Sequence, residues 1–504
     1  MSELRTRNHP KRNPTVRFFH KSRSTAITSK RKGKGNHTYT RYFPILCLAC
    51  FSYLYISIPN TSYKSLEHKT KKPSGAKNAI FSNVLDEVLQ NTEQSESIRI
   101  AFENLKNYNT SENHRHGALI DSYNEEERRC KRYGWTFDPL IKRRRRIFFG
   151  SNIADDSWHA IVAHAMESYG LYHTLAFVES NTTTADRDAF MLQRELNYAK
   201  GSLNLKALQS GIFGPTSQVF VDLYIDNPEE RKDENGNIHM IQEHMQREVA
   251  LRRWKENGMT PNDVAIFSDL DEVFTRDFLL AISSCDVPEF RPGQDCKEPK
   301  LTANSLIFES SPECIYSDKK WNHPDLIIGE CVHGIGNSTL HKPGKRRVGE
   351  NGKRKEGYGT DPYDYKKMPG ISMYPLWKAV DFRTAWGLKE TKNFKTKKQT
   401  AYHIRNFFLT AKSLRNKYAT CTHARKDAWT APLQEMQKDL NLTVQCIKGL
   451  EHPRLLEGGF DSIEGDIPII FQDAEYRKAR HHELQKIIQE DEALLQEKKL
   501  ETKI

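Results

Sequence analysis

Residues 263–274 read DVAIFSDLDEVF, and no other segment constrains the fold as tightly. Four apolar residues in unbroken succession predict a short strand buried on both faces. That strand delivers Asp269, Asp271 and Glu272 at its carboxyl end. Carboxylates two apart on an extended backbone point the same way, so Asp269 and Asp271 can share one hard divalent cation. Such a cation can bridge the two phosphates of a nucleoside diphosphate and neutralise it as it leaves. Acids here would also suit the start of a helix near Thr275, but three of them exceed what capping needs.

The surrounding pattern supplies neighbours for that strand. Residues 147–150, 173–179 and 217–225 read as strands. Helical patterns cover 154–169, 239–257 and 275–282. Strands alternating with helices predict an α/β fold with a largely parallel central sheet, in which ligands bind beyond the carboxyl ends of the strands. Regularity weakens after about residue 288. Short strands, Gly and Pro, and a basic solvated loop at 342–355 predict a less regular acceptor-side half. Residues 474–500 are charged on nearly every face and read as a solvent-exposed helix or tail, with no heptad to suggest a coiled coil.

Composition matters chiefly through where the charge lies. The net charge of +12 invites a nucleic-acid reading, yet residues 1–43 hold twelve Lys or Arg against the single acid Glu3. Residues 60–504 are nearly neutral, so the basic character belongs to a tail. Residues 44–58, PILCLACFSYLYISI, carry no charge. With Tyr42 and Phe43 the run reaches the short end of a membrane-crossing helix, and the basic flank places the N-terminus on the cytoplasmic side. The expected product is a single-pass type II protein of the Golgi or ER membrane, its body lumenal. Sequons beginning at Asn60, Asn109, Asn181, Asn337 and Asn441 agree with that placement. So do the seven cysteines beyond the run (130, 285, 296, 314, 331, 421 and 446), enough for up to three disulfides. Cys47 and Cys50 lie within the run and read as apolar residues. Behind a membrane, Arg143 to Arg146 cannot meet nucleic acid and read as a strand entrance or a diphosphate contact. The body has no P-loop, GxSxG or HExxH, which removes the commonest nucleotide hydrolases, serine esterases and zinc proteases.

An Asp-Leu-Asp-Glu-Val sequence also fits the nucleophile loop of haloacid-dehalogenase-like phosphatases. That loop normally follows the first strand, whereas three strands precede it here, and the acid after Asp466 is as distant as Asp473. A phosphatase is therefore the alternative, with a non-catalytic glycan-binding scaffold beside it. The order of several segments is more specific. CKRYGW (130–135) precedes RRRRIFFG (143–150), FVESN (177–181), the DxDE segment, HIRNFF (403–408), RNKYAT (415–420) and His423. In this order they resemble glycosyltransferase family 17, the family of β-1,4-mannosyl-glycoprotein β-1,4-N-acetylglucosaminyltransferases, over residues 130–446. HIRNFF stands where the family's bisecting enzyme has a cysteine-rich Trp-His-Cys stretch, which leaves the acceptor open.

The resemblance implies a GT-A-like nucleotide-sugar-binding fold, transfer with inversion from a UDP-sugar (GlcNAc foremost) to a glycan or glycoprotein acceptor, and Mn²⁺. On it, Asp269 and Asp271 match the metal and donor motif with Glu272 beside them. Glu179 and Asn181 match the strand end that meets the nucleoside, in which case Asn181 carries no glycan. His403 falls where a late histidine metal ligand is common, although a core histidine satisfied by hydrogen bonds reads equally well. Arg415 and Lys417 suit phosphate contacts, although such residues are more often surface charges. The general base is unassigned, with Asp381 one candidate. The expected organisation is a basic tail at 1–43, a signal-anchor at 44–59, a stem at 60–127, a catalytic domain at 128–460 and a charged helix or tail at 461–504.

Overall fold

A computed structural model describes residues 86–87, 95–110, 123–137, 144–154, 158–182, 196–225, 241–290, 300–303, 305–316, 321, 323–332, 335, 399–420, 425–436, 438–450, 452–463 and 466–501. The apolar run at 44–58, the basic loop at 342–355, Asp381, His423, Cys296 and Cys421 lie outside these residues.

Eleven strands and ten helices are described, in three sheets. The chain opens with helices α1 (Glu96–Thr110) and α2 (Tyr123–Arg132) and the short β1 (Thr136–Phe137). Next come β2 (Ile147–Ile153), α3 (Trp158–Ser168), β3 (Tyr172–Ser180), α4 (Leu203–Gln209), β4 (Gln218–Tyr224), α5 (Ile241–Glu256) and β5 (Val264–Phe267). After a turn follow β6 (Glu272–Phe274), α6 (Arg276–Ser284), β7 (Cys285–Asp286), β8 (Lys300–Thr302), β9 (Ser305–Glu309) and β10 (Asp325–Ile328). Strand β11 (Ala401–Arg405) then leads to α7 (Ala411–Thr420), α8 (Leu433–Met436), α9 (Lys438–Ile447) and α10 (Ala474–Glu501).

The largest sheet has the order β4-β3-β2-β5-β10-β8. Strands β2 to β5 are parallel, joined by helices, as strand–helix alternation requires. On the far side of β5, strand β10 runs antiparallel to both β5 and β8. A second sheet, β6-β11-β9, and a two-stranded β1-β7 pair complete the architecture.

This corrects the expected single, largely parallel, GT-A-like sheet behind a transmembrane helix. The fold is a mixed α/β structure with several sheets. Among the described residues, no helix is long and apolar enough to cross a membrane. The parallel half was predictable because each strand is followed by a helix that returns the chain to the same edge. Beyond β5 the chain leaves the large sheet for the small one and re-enters from the opposite end. Short, mostly apolar strands such as DLII say nothing about direction.

Packing is close where α5 crosses β2. Gly150 makes the approach possible, since a Cβ there would fall 2.8 Å from atoms of both Phe267 and Trp254. The Trp254 indole donates to the Phe149 carbonyl at 3.0 Å, so its one polar atom is satisfied inside the core. Helix α1, read as part of a stem, buries Ile98, Ala101, Phe102 and Leu105 in the same core. Helix α10, read as solvent-exposed, buries Tyr476, Arg480, Leu484, Ile487, Asp491 and Leu495, a stripe at helical spacing. Disulfides Cys130–Cys285 and Cys314–Cys446 close loops of 155 and 132 residues. Loop-closure entropy puts each at about 5 kcal/mol of stabilisation. Cys331 is disulfide-bonded as well.

One buried carboxylate ties four elements together. Glu167 of α3 accepts from the Arg276 N–H at 2.6 Å, the Ile469 N–H at 2.8 Å and the Tyr402 hydroxyl at 3.0 Å. Burial raises its pKa to about 7 despite those donors. In the unfolded chain the same group titrates near 4.5. Between these values the folded state holds the extra proton, so this contribution to stability is full below pH ~4.5 and lost as pH rises through ~7. The neutral variant Glu167→Gln leaves the Arg276 N–H facing an amide donor and should be less stable at every pH. It should also lose a decline of about 3 kcal/mol between those pH values. Urea unfolding of both proteins across pH 4 to 8 checks this; parallel stability curves would refute it.

Candidate active site at the acid turn

Strand β5 ends at Phe267 in the large sheet, and β6 starts at Glu272 in the small one. The four residues between them carry Asp269 and Asp271, so the acid turn sits where the two sheets meet. Glu272 is fully buried and pairs with His403 across β6 and β11. The Ile404 N–H donates to the Asp271 carbonyl at 2.7 Å, extending that pairing into the turn. Backbone pairing thus brings HIRNFF against DxDE across some 130 residues of chain.

The side chains follow from this register. His403 Nε2 lies 3.3 Å from Asp271 Oδ2, and Lys417 Nζ of α7 lies 3.9 Å from the same oxygen. His403 and Arg405 alternate with Ile404 and so share a face of β11. Partial burial disfavours a charged Asp271, but His403, Lys417 and Arg405 override it and hold the carboxyl well below the usual carboxylate range. Asp269 is exposed on the same turn. The group is an ionised carboxylate set among cations at the carboxyl end of a buried strand.

Glu272 has a different environment. Its Oε1 accepts from the Trp321 indole N–H at 2.6 Å, and its Oε2 accepts from the Asp269 N–H at 3.2 Å, with Ser268 Oγ 3.4 Å away. Both oxygens are therefore engaged inside the protein. Glu272 braces the turn, whereas the sequence had grouped it with the reacting acids. Trp321, which sequence reasoning missed, packs against His403 with ring centroids 5.1 Å apart. It bridges to Ser305 of β9 outside any named strand, and nothing in its local sequence marks it.

The remaining site expectations separate. Glu179 and Asn181 lie at the carboxyl end of β3, on the edge of the large sheet that also bears the acid turn, with β2 between β3 and β5. Two strand spacings put them about 10 Å away in the sheet plane. The Glu179 carboxylate is buried and accepts from the N–H groups of Asn197 (2.7 Å) and Tyr198 (3.0 Å), which ties down the chain entering α4. Asn181 continues the pairing with β4 by donating its N–H to the Tyr224 carbonyl at 3.3 Å. Arg415 turns inward. It forms a bidentate pair with Asp491 of α10 and donates to the carbonyls of Ala428 (2.7 Å) and Ala431 (3.0 Å). Two residues along the same helix, Lys417 is the cation that reaches the turn.

Among the described residues, no three His, Cys, Asp or Glu side chains converge into a metal-holding group. Asp271 and His403 offer one carboxylate oxygen and one imidazole nitrogen. The His403 Nδ1 is buried without a hydrogen-bond partner. This donor set fits a divalent cation that completes its shell with phosphate and water, and it is too sparse for a closed structural site.

Two substitutions on α7 distinguish frame from site. Arg415→Ala strands Asp491 as a buried, unpaired charge and should cost about 3–5 kcal/mol in urea unfolding. Lys417→Ala, at a partly exposed position, should change stability by no more than about 1 kcal/mol. The reverse ranking would contradict this division. Compared with family models, curated proteins and solved structures, the chain finds no match.

Proposed function

We propose that the chain is a glycosyltransferase that moves a sugar, GlcNAc foremost, from a UDP-sugar to a glycan acceptor with inversion, assisted by a divalent cation such as Mn²⁺. One observation carries this reading. Three segments that resemble glycosyltransferase family 17, DxDE, HIRNFF and RNKYAT, meet through Asp271, His403 and Lys417 at the carboxyl end of β5. The first lies about 130 residues before the other two, and their meeting places carboxylate, imidazole and ammonium groups around one small volume.

The residues divide the work as follows. Asp269 and Asp271, with His403, would hold the cation, which when bound supplies charge neutralisation for a departing diphosphate. The positive charge of Lys417 and Arg405 beside Asp271 favours its ionised form. Lys417 adds positive charge on the same side and favours the anionic donor over a neutral sugar. Glu272, buried and doubly bonded, keeps the turn from reorganising as charge develops. Glu179 shapes the neighbouring edge of the sheet by fixing the backbone at Asn197 and Tyr198, where the resemblance puts the nucleoside.

The test is thermal unfolding of the full-length chain with UDP-GlcNAc, UDP-Gal, UDP-GalNAc, UDP-Glc or GDP-Man, each with and without Mn²⁺. A ligand bound only by the native state adds about 2.7 kcal/mol of stability at a hundredfold excess over its Kd. The expected result is a metal-dependent rise in Tm with one UDP-sugar, lost in Asp271→Ala along with all turnover. No rise with any donor in a folded chain would sink the reading, as would full turnover in Asp271→Ala.

A further inference from the structure

Trp321 stands beside the acid turn but takes no part in holding charge there. Its backbone is pinned to β9, with the Ser305 N–H donating to the Trp321 carbonyl at 2.9 Å. Its indole N–H is fixed by Glu272, and its ring leans on His403 at an interplanar angle of 34°. On a further side His323 meets it edge-on at 5.3 Å. The residue also packs against the buried cluster of Ile307, Tyr316 and Leu442 and is left half-buried. An indole held at its polar end, supported behind and open in part to solvent presents a rigid apolar surface. A pyranose ring has a matching apolar face made of its C–H bonds.

We propose that Trp321 is the platform on which a pyranoside acceptor packs, and that Glu272 is the positioning residue that sets this platform and the acid turn relative to each other. One carboxylate binds the indole through Oε1 and the Asp269 backbone through Oε2. Neither group can shift without breaking a bond to the same buried residue. His403 stands between Asp271 and the indole, so the platform is joined to the acid turn through that imidazole as well as through Glu272. The name "acceptor" rests on the sugar-transfer reading; the pyranoside site does not.

Saturation-transfer NMR with the full-length chain and no nucleotide sugar tests the platform directly, using chitobiose and mannobiose as probes. Wild type should bind at least one of them. Trp321→Ala should weaken that binding about tenfold or more, and Trp321→Phe, which keeps a ring, should retain most of it. The metal-dependent Tm rise with the UDP-sugar should persist in Trp321→Ala. In Glu272→Gln one oxygen remains to accept, so the indole or the turn is held but not both. Glycan binding and the donor-induced rise should then weaken together. Glycan bound equally by wild type and Trp321→Ala, or by neither, overturns the platform. Loss of the donor effect alone in Trp321→Ala overturns its assignment to the acceptor. Glycan binding that depends on Trp321 in a chain with no donor-induced Tm rise would uphold the pyranoside site and refute sugar transfer.

Discussion

The antiparallel pairing of β6 with β11 is the contact on which the site depends. It places Glu272 opposite His403 and lets Ile404 reach the Asp271 carbonyl, so one ladder fixes both the acid turn and the imidazole beside it. The pairing joins segments far apart in sequence, and bringing them together costs loop-closure entropy that no local preference offsets. The fold meets that cost from several directions. β9 pairs with β11 along its whole length, Glu167 binds both Tyr402 and the start of α6, and Cys314–Cys446 closes a loop containing β11.

Around this ladder the structure relies on buried polar groups to an unusual degree. Arg253 and Asp222 pair bidentately at 2.7 and 2.8 Å between α5 and β4. Arg146 and Asp263 pair at the entrance to β2 and β5. Fully buried Arg480 donates to the carbonyls of Ser310 and Phe408. Pairs like these seldom add much net stability over apolar packing, because desolvation offsets the attraction, but breaking one is expensive. Their effect is to penalise every arrangement except the one in which all partners meet. They lock the loops after β9 and β11, where Ser310 and Asn406 adopt left-handed backbone (φ 65° and 58°). The second of these loops carries the chain from the small sheet toward α7 and thus toward Lys417.

Legibility in the sequence followed the range of the physics involved. Strands β2, β3, β4 and β5 were readable because each is an apolar run followed by a helical pattern, a signal confined to some twenty residues. The acids after β5 stood out for the same reason. Direction and partnership were not readable for β8, β9 and β10, whose short runs carry no sign of the sheet they join. Helix α10 looked solvent-exposed because two positions of its buried stripe are Arg480 and Asp491, which a hydrophobicity pattern scores as surface. Arg415 and Lys417 illustrate the limit of local reading. Two residues apart on one helix, they face different surroundings, and only the position of Asp491 decides which of them turns inward. Trp321 left no trace at all, since its role depends on a carboxylate 49 residues earlier in the chain.

The Arg415–Asp491 pair also orders events in time. A ribosome releases this chain from its N-terminus, and domains generally form as their residues emerge. β11 and α7 are complete by residue 420, but the carboxylate that receives Arg415 arrives more than seventy residues later, near the end of the last helix. Until then α7 carries a guanidinium that lacks its carboxylate partner and has only the carbonyls of Ala428 and Ala431 to meet. A chain that stops short of Asp491 would have every other piece of the site and still lack the anchor that seats α7.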